Sequence, residues 1–307
     1  MNPFTRREFL KSASLVSMAS LGFSFSTIKK AKPLLSFSTL GCPDWPFRSI
    51  VDFAAANGYS GIELRGIMRE LDLPKCSEFN NAENIRSTKK LMADNHLKFV
   101  NLGSSVQLHQ PDGAERKKHI DDGKRFIDLA NQLACPYIRV FPNNFPKDQD
   151  RNFTIDLITK GLLELGDYAK GSNVKVLMES HGEVVFIADI EKIMKAAEHP
   201  RVGLIWDALN MWTITKESPA IVYEKLKKYI YHTHIKNATL VDGKINYVLM
   251  DKGEVPIFEA IDALTKGGYK GYYSFEWEKL WHPEIEAPEI ALADYPRAMT
   301  KHFSDSK

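Results

Sequence analysis

Cysteine is scarce in this chain. Three cysteines occur among 307 residues, Cys42, Cys76 and Cys135, and their spacings are wide. A small disulfide-stapled fold needs a dense, even-numbered set of cysteines, and a structural zinc site of the common kind needs close pairs such as C-x-x-C. The sequence therefore excludes both as the basis of the fold. It leaves open a single bridge between two of the three thiols.

The chain also lacks an excess of positive charge outside its first 32 residues. Of the 41 basic and 39 acidic side chains, six basic and one acidic lie in that first segment, which leaves 35 and 38 and a formal net charge of −3. Proteins that bind a nucleic-acid backbone usually carry a basic surface. We therefore expect no nucleic-acid partner.

Long apolar runs are missing as well. A short, serine-rich apolar stretch covers residues 12–25 and follows the segment TRREFLK, in which Arg6 and Arg7 are adjacent. The stretch is too short for a membrane span of ordinary length. Paired arginines ahead of an apolar segment are typical of the bacterial twin-arginine export signal.

The amino-terminal segment is therefore predicted to be a twin-arginine signal peptide and linker, residues 1–32, ahead of a folded domain at residues 33–307. The export machinery of that route would be a partner of the chain. No clean A-x-A cleavage site follows the apolar stretch. We therefore expect the mature protein in the periplasm, either free or tethered by an uncleaved amino-terminal segment.

From residue 34 onward, strand-like and helix-like segments alternate to the end. Eight strand–helix units can be counted, and the strand ends recur about every 34 residues, the length of one βα repeat. An open doubly wound sheet would carry a glycine-rich phosphate turn after its first strand, and TLGCPDW (39–45) is not one. The prediction is a single-domain α/β fold, a (β/α)₈ TIM barrel.

Four buried-strand segments in the second half end in residues that bind metals. VKVLME ends at Glu179, VGLIWD ends at Asp207 and YYSFE ends at Glu276, while IYHTHI carries His232 and His234. In a closed parallel barrel, the carboxyl ends of the strands converge on one mouth. We therefore expect two glutamates, one aspartate and one histidine to meet there.

Several carboxylates buried at one point repel each other unless cations neutralise them. Lys236 and Arg139 lie near the same strand ends but supply only part of the required charge. One divalent metal ion would supply the rest. Oxygen-rich donors with one imidazole favour Mn²⁺ or Mg²⁺ and tolerate Zn²⁺ or Co²⁺.

The motifs MESHG, WDALN, H-x-H-I-K and S-F-E-W-E resemble those of the xylose isomerase-like TIM barrel superfamily. Within that superfamily the sugar phosphate isomerase/epimerase group is the nearest match, and the resemblance extends from residue 34 to about residue 300. The resemblance implies that Glu179, Asp207, His234 and Glu276 are the metal ligands. It also implies that Glu179 and Glu276 act as the catalytic acid and base.

Two positions depart from the ketose epimerases of this group. Asn210 stands where those enzymes have a histidine, and Leu240 stands where they have an arginine. Both are substrate-binding positions in that branch. The metal site therefore carries over to this chain, while the substrate stays open.

The reaction expected of such a site is proton abstraction next to a carbonyl, which gives an enediolate. The leading hypothesis is a metal-dependent isomerase or epimerase of a sugar or cyclitol. A lyase or dehydratase that eliminates a group from a 3-keto-sugar or keto-glycoside is the alternative with the same chemistry. An alternative of another class is a non-catalytic sugar-binding barrel.

Further polar residues near the strand ends are candidates for binding a small carbohydrate substrate. They are His181, Asn210, Lys236, Glu63, Arg139 and His109. The sequence leaves open whether the chain forms a homo-oligomer.

Overall fold

The computed structural model describes residues 32–305, which form ten β-strands and nine α-helices. The strands are β1 (Leu34–Ser38), β2 (Gly61–Leu64), β3 (Lys98–Gln107), β4 (Tyr137–Phe141), β5 (Lys175–Glu179), β6 (Val202–Asp207), β7 (Ile230–Ile235), β8 (Asn237–Val241), β9 (Lys244–Val248) and β10 (Tyr272–Phe275). The helices are α1 (Phe47–Ala56), α2 (Ala82–Asp94), α3 (Ala114–Leu133), α4 (Arg151–Tyr168), α5 (Ile187–Ala196), α6 (Ala208–Thr215), α7 (Pro219–Leu226), α8 (Ile257–Lys266) and α9 (Pro288–Asp305).

Eight of these strands close into a parallel barrel. Their order around it is β1, β10, β7, β6, β5, β4, β3 and β2. The predicted (β/α)₈ barrel is therefore confirmed. The predicted export segment, apart from Lys32, lies outside the described residues. Within residues 32–305, every helix is too short or too polar to cross a membrane.

The barrel strands are largely apolar, because one face of each strand packs in the barrel interior and the other is covered by helices. Strand β6, with the sequence VGLIWD, is buried along its whole length. Trp206 packs against Tyr223 of α7, with ring centroids 6.2 Å apart, so this side chain faces the outer helices. Its neighbour Asp207 faces the other way, because successive side chains of a strand alternate. The continuous apolar run thus delivers one carboxylate to the barrel mouth.

Helix α6 is a short element that the sequence did not predict. It begins directly after β6, where the Oδ1 atom of Asp207 accepts a hydrogen bond from the backbone N–H of Asn210 at 2.8 Å. Aspartate is a favoured residue at this capping position. The cap fixes the direction of the carboxylate at the strand end.

An antiparallel hairpin of β8 and β9 follows β7 on the mouth side. The adjacent Asp242 and Gly243 predict this turn from the sequence, because Asp-Gly is a typical signal of a two-residue hairpin. Both turn residues have positive φ, +50° for Asp242 and +74° for Gly243, as the turn type favoured in tight hairpins requires. The three cysteines of the chain are free and buried. No disulfide therefore contributes to this fold.

Candidate metal centre

Strand register brings the four predicted ligands together. Asp207 pairs with His234 across β6 and β7, and the backbone N–H of Glu276 donates to Ile235 at 3.1 Å. Glu179 ends β5, the neighbour of β6 on the other side. One donor atom from each of Glu179, Asp207, His234 and Glu276 lies within 4.8 Å of the other three, and all four residues are buried. The convergence expected at the barrel mouth is therefore present.

The imidazole of His234 has acidic side chains on both sides of its ring. Its Nδ1 lies 3.2 Å from Oε1 of Glu179 and 3.2 Å from Oε2 of Glu276. Its Nε2 lies 3.0 Å from Oε1 of Glu63, on the opposite side of the ring. Burial alone would lower the pKa of His234, but the surrounding carboxylates outweigh it and raise this pKa well above its usual value.

Glu179 is held by a buried arginine. The Nη1 of Arg139 donates to its Oε2 at 2.6 Å, and the Nη2 of Arg139 donates to the carbonyl of Ser104 at 3.1 Å. Burial raises the pKa of Glu179, yet the positive charges of His234 and Arg139 dominate and hold it at about 2. Glu179 is therefore ionised near neutral pH and available as a base.

Lys236 lies among the carboxylates on the other side of the cluster. Its Nζ is 2.7 Å from Asp207, 2.5 Å from Glu276 and 2.7 Å from Glu278. Burial favours the neutral amine, but these acids raise the pKa of Lys236 well above its usual value. The side chain is only 2% exposed, so its charge acts within the cluster.

Negative charge is nevertheless in surplus. Burial, followed by repulsion from Glu276 and Glu179, outweighs Lys236 and raises the pKa of Asp207 to about 6. The donors are three carboxylates and one imidazole nitrogen, a set that suits one divalent cation. The residues present therefore fit the metal that the sequence predicts, although nothing in the donor set selects the ion.

Glu63 lies beside the two histidines of β7. It is 1% exposed, and its Oε2 lies 2.7 Å from Nε2 of His232 and accepts a hydrogen bond from Ser274 at 3.2 Å. Its other oxygen faces His234. Both oxygens of Glu63 contact protein groups, namely the two histidines and Ser274, and the substrate-binding role of Glu63 stays a prediction.

Arg139 and Lys236, also predicted as substrate-binding residues, are ion-paired with the cluster acids as described. Two other candidates line the half-buried edge of the site. His181 packs its ring on Phe141, with centroids 4.4 Å apart, and its Nδ1 has no hydrogen-bond partner within the described chain. Burial lowers the pKa of His181. The side chain of Asn210 donates to the carbonyl of Ser180 at 3.3 Å. Both placements are compatible with substrate contact, which stays a prediction.

His109 is the candidate that the fold leaves apart. Its Nε2 lies 3.4 Å from the side-chain nitrogen of Gln110, and in the described part of the chain no hydrogen bond or ion pair links it to the cluster. The sequence predicts the end of β3 at residue 103, but the strand continues to Gln107, so His109 lies two residues past the strand end. A substrate contact of His109 stays a prediction.

Arg65 is a buried charged residue that is not among the site residues predicted from the sequence. It directly follows β2, two residues after Glu63, and is 6% exposed. Burial, then the nearby charge of Arg139, lowers its pKa to about 9. The signal that could have found it is its place at a strand end on the same side as Glu63.

Residues 51–295 match the family described as xylose isomerase-like TIM barrel. The chain belongs to this family. An inosose isomerase of Halalkalibacterium halodurans is 22% identical over 83% of this chain and 92% of its own length. A 3-dehydroshikimate dehydratase of Bacillus anthracis is 25% identical over 78% of this chain and 82% of its own length.

The fold is shared with solved structures of the family. A xylose isomerase-like TIM barrel protein from Mycobacterium smegmatis, in complex with magnesium, has a TM-score of 0.66 and 18% sequence identity. The similarity covers 90% of this chain and 97% of that one. The family thus includes isomerases and dehydratases by name, and one member binds magnesium.

Proposed function

We propose that this chain is a divalent-metal-dependent isomerase or epimerase of a sugar or cyclitol. The observation that carries the proposal is the pair of glutamates beside His234. Glu179 and Glu276 lie on strands that flank β6 and β7, and each places an oxygen 3.2 Å from the same imidazole nitrogen. Two carboxylates from different parts of the barrel thus meet at one point.

Glu179, Asp207, His234 and Glu276 would hold the ion. When bound, a divalent cation polarises a carbonyl oxygen and so acidifies the neighbouring C–H bond. The protein supplies the bases. One glutamate accepts the proton from carbon at its carboxylate oxygen, which leaves an enediolate of the substrate. The other returns a proton to the opposite face of that carbon in an epimerase.

Arg139 and Lys236 have supporting roles in this proposal. Arg139 keeps Glu179 ionised and fixes its direction through the 2.6 Å contact. Lys236 places a positive charge beside Asp207 and Glu276, where negative charge grows on the substrate oxygens. Preorganised positive charge of this kind lowers the barrier to enediolate formation.

A lyase or dehydratase is the second candidate. Its specific support is His181, a half-buried imidazole near Glu179 with a free Nδ1, which could carry a proton to a leaving hydroxyl or glycosyl oxygen. The similarity to a 3-dehydroshikimate dehydratase supports the same reading. Here the base takes the α-proton, the C–O bond at the β-carbon breaks, and the leaving oxygen gains a proton.

Proton exchange in D₂O tests both candidates. Purified protein with Mn²⁺ is incubated with inososes, ketoses and 3-keto-glycosides, and deuterium gain and product are followed by NMR. Deuterium at carbon without loss of a group indicates an isomerase or epimerase, and a released group indicates a lyase.

The variants Glu179→Gln and Glu276→Gln distinguish catalysis from binding. Each removes a base while keeping the shape of the side chain, so we expect exchange to fall by at least about 100-fold, the usual contribution of a general base. A non-catalytic sugar-binding barrel would show no exchange with any of these compounds and would bind ligand equally well in both variants.

We further propose that residues 1–32 direct export by the twin-arginine route and that residues 33–307 form the exported domain. The support is the Arg6-Arg7 pair ahead of the serine-rich apolar stretch. A fusion of residues 1–32 to a folded reporter should reach the periplasm. Replacement of both arginines by lysine should keep the reporter in the cytoplasm, and export that persists would contradict this route.

A further inference from the structure

Arg65 differs from the other buried arginines in its partners. Its Nη2 donates to the hydroxyl of Ser105 at 3.0 Å, and its Nη1 has no hydrogen-bond partner among residues 32–305. No acidic group of the described chain lies within ion-pairing distance, 4.0 Å, of its guanidinium. By contrast, Arg139 is paired with Glu179, and Arg116 donates to three backbone carbonyls and contacts Asp112.

The position of Arg65 places the unpaired group beside the metal centre. Arg65 and Glu63 lie on the same side of their strand, because side chains alternate, and Glu63 faces the barrel interior. Arg65 is thus one step nearer the mouth than Glu63. Its partner Ser105 is exposed, so the guanidinium lies just beneath the surface of the mouth.

Gly103 leaves space that the side chains of Arg65 and Arg139 both occupy. A Cβ atom at this position would lie 2.9 Å from Cδ of Arg65 and 3.2 Å from Nη2 of Arg139. Burial, and then the nearby charge of Arg139, lowers the pKa of Arg65, because a buried charge without a direct partner is costly. Arg139 offsets its own burial by pairing with Glu179. The acids of the cluster act on Arg65 only from beyond ion-pairing distance, so within the described chain its guanidinium has no directly paired acid.

We propose that Arg65 binds a carboxylate of the substrate, so that this enzyme acts on an anionic carbonyl compound. The inference rests on the proposed function, because the carboxylate would lie next to the carbon at which Glu179 and Glu276 exchange protons. Nη1 donates to one carboxylate oxygen, and Ser105 holds the guanidinium in place from the other side.

Charge balance favours a carboxylate over a phosphate. Around the centre, Arg65, Arg139 and Lys236 face five acids: Glu63, Glu179, Asp207, Glu276 and Glu278. One divalent cation would bring this set to neutrality when the histidines are uncharged. A monoanion then adds one negative charge, whereas a phosphate dianion adds two in a site of low dielectric.

Binding of acids and their esters tests the proposal. Shikimate, quinate and lactate lack the ketone and are not turned over, and each is compared with its methyl ester by calorimetry on the full-length protein with Mn²⁺. Because a hydrogen bond to a charged group is worth more than a neutral one, we expect at least one acid to bind about 10- to 100-fold more tightly than its ester.

Three variants locate the preference. Arg65→Met should abolish the difference between acid and ester, and Arg65→Lys should keep part of it, because lysine retains the charge without the planar fork. Arg69→Met removes an exposed arginine of the same loop that is paired with Asp44, so it should leave the preference unchanged. A wild-type protein that does not distinguish any acid from its ester overturns the proposal.

Stability of the ligand-free protein provides an independent readout. Because Arg65 has one hydrogen bond and no ion pair, Arg65→Met should melt at or above the wild-type temperature. Arg116→Met should melt lower, since it removes the side-chain donor to three backbone carbonyls. A clear loss of stability in Arg65→Met would assign Arg65 a structural role and overturn the proposal.

The outcomes separate this inference from the proposed function. Acid preference that depends on Arg65, with no proton exchange on any ketone, supports the anion site and contradicts the proposed reaction. Exchange on uncharged ketones without acid preference supports the reaction and overturns the anion site. Sorbitol 6-phosphate that binds through Arg65 when none of the acids does would overturn the assignment to a carboxylate.

Discussion

At the scale of single residues, His234 connects the metal centre to the barrel interior. One ring nitrogen faces Glu179 and Glu276, and the other faces Glu63. A carboxylate behind a metal-binding histidine fixes the ring orientation and the protonated nitrogen. Glu63 therefore acts as a positioning residue for the proposed ligand.

Replacement of Glu63 tests this positioning role. Glu63→Ala should weaken Mn²⁺ binding by about 10- to 100-fold, as loss of such a partner commonly does. The dissociation constant is measured by chelator competition, which is independent of activity. Ser274→Ala is the control, because it removes one hydrogen bond to Glu63 and leaves the carboxylate in place. Equal affinities in the wild type and in Glu63→Ala would show that His234 needs no such support.

Protonation of the empty centre makes a second prediction at this scale. The surrounding carboxylates raise the pKa of His234 and so favour its protonated imidazole, and Asp207, with a pKa raised to about 6, becomes protonated as well at pH 5. A metal ion must displace these protons. Mn²⁺ affinity should therefore fall as the pH is lowered.

Calorimetry in buffers of different ionisation enthalpy measures this release. We expect more protons to be released per ion at pH 5 than at pH 8, since metal ligands bind in their deprotonated form and Asp207 is protonated only at the lower pH. In Asp207→Asn this increase should be missing. A release that does not change with pH would mean that the two groups do not share the ion.

At the scale of elements, the hairpin of β8 and β9 depends on one buried amide at its base. The side chain of Asn237 donates to Met250 at 2.9 Å and accepts from the backbone N–H groups of Ala238 and Val255 at 2.9 and 3.2 Å. Gly253 lies directly against this amide. The hairpin also carries Tyr247, which contacts the ring of His282 at 5.0 Å. Asn237 thus ties the loop above the site to the barrel.

Gly253→Ala should disrupt this anchor. The added Cβ would overlap the amide of Asn237, which is held from three sides and cannot move aside. We expect a loss of about 1–3 kcal/mol in unfolding free energy, typical of overpacking, measured by urea denaturation. Gly171→Ala is the control, because its Cβ would meet no atom within 4 Å. Similar stability of the two variants would show that the hairpin base tolerates displacement.

Elements also show where sequence patterns succeed and fail. The hairpin turn was predicted because Asp-Gly specifies a local backbone conformation. Helix α6 was not predicted, because it has only eight residues and directly follows a buried strand without a break in the apolar pattern. Its start depends on the side chain of Asp207, which accepts a hydrogen bond from the backbone N–H of Asn210. The sequence prediction ended strand β3 too early, because the glycine after Leu102 is a poor strand former. In the structure, pairing with β4 extends β3 as far as Gln107.

At the scale of the whole molecule, the barrel holds several like charges at one point. Metal binding should offset that repulsion and stabilise the fold by mass action. At a free ion concentration 100 times the dissociation constant, the gain is about 2.7 kcal/mol. For a domain of this size we expect a rise in melting temperature of about 5–10 °C when Mn²⁺ is added to chelator-treated protein.

Calorimetric melting of Asp207→Asn provides the comparison for this rise. The variant keeps the helix cap but loses one charged donor, so Mn²⁺ should raise its melting temperature much less. The same rise in both proteins would place the stabilising ion elsewhere on the molecule.

The barrel and the four donors of the candidate metal centre could be predicted from the sequence. Alternation of buried strands and helices is a local pattern, and parallel strands that close on themselves must bring their carboxyl ends to one mouth. The convergence of Glu179, Asp207, His234 and Glu276 follows from that geometry.

The pairing of the charged groups could not be predicted from the sequence, because it depends on the tertiary structure. Glu63 and His234 are 171 positions apart, and their contact depends on barrel closure through strands that are distant in sequence. The same holds for the ion pair of Arg139 with Glu179 and for the absence of one at Arg65 within the described chain. Periodicity shows which side of a strand a residue faces. Which charged group it pairs with depends on distances of a few ångströms between strands.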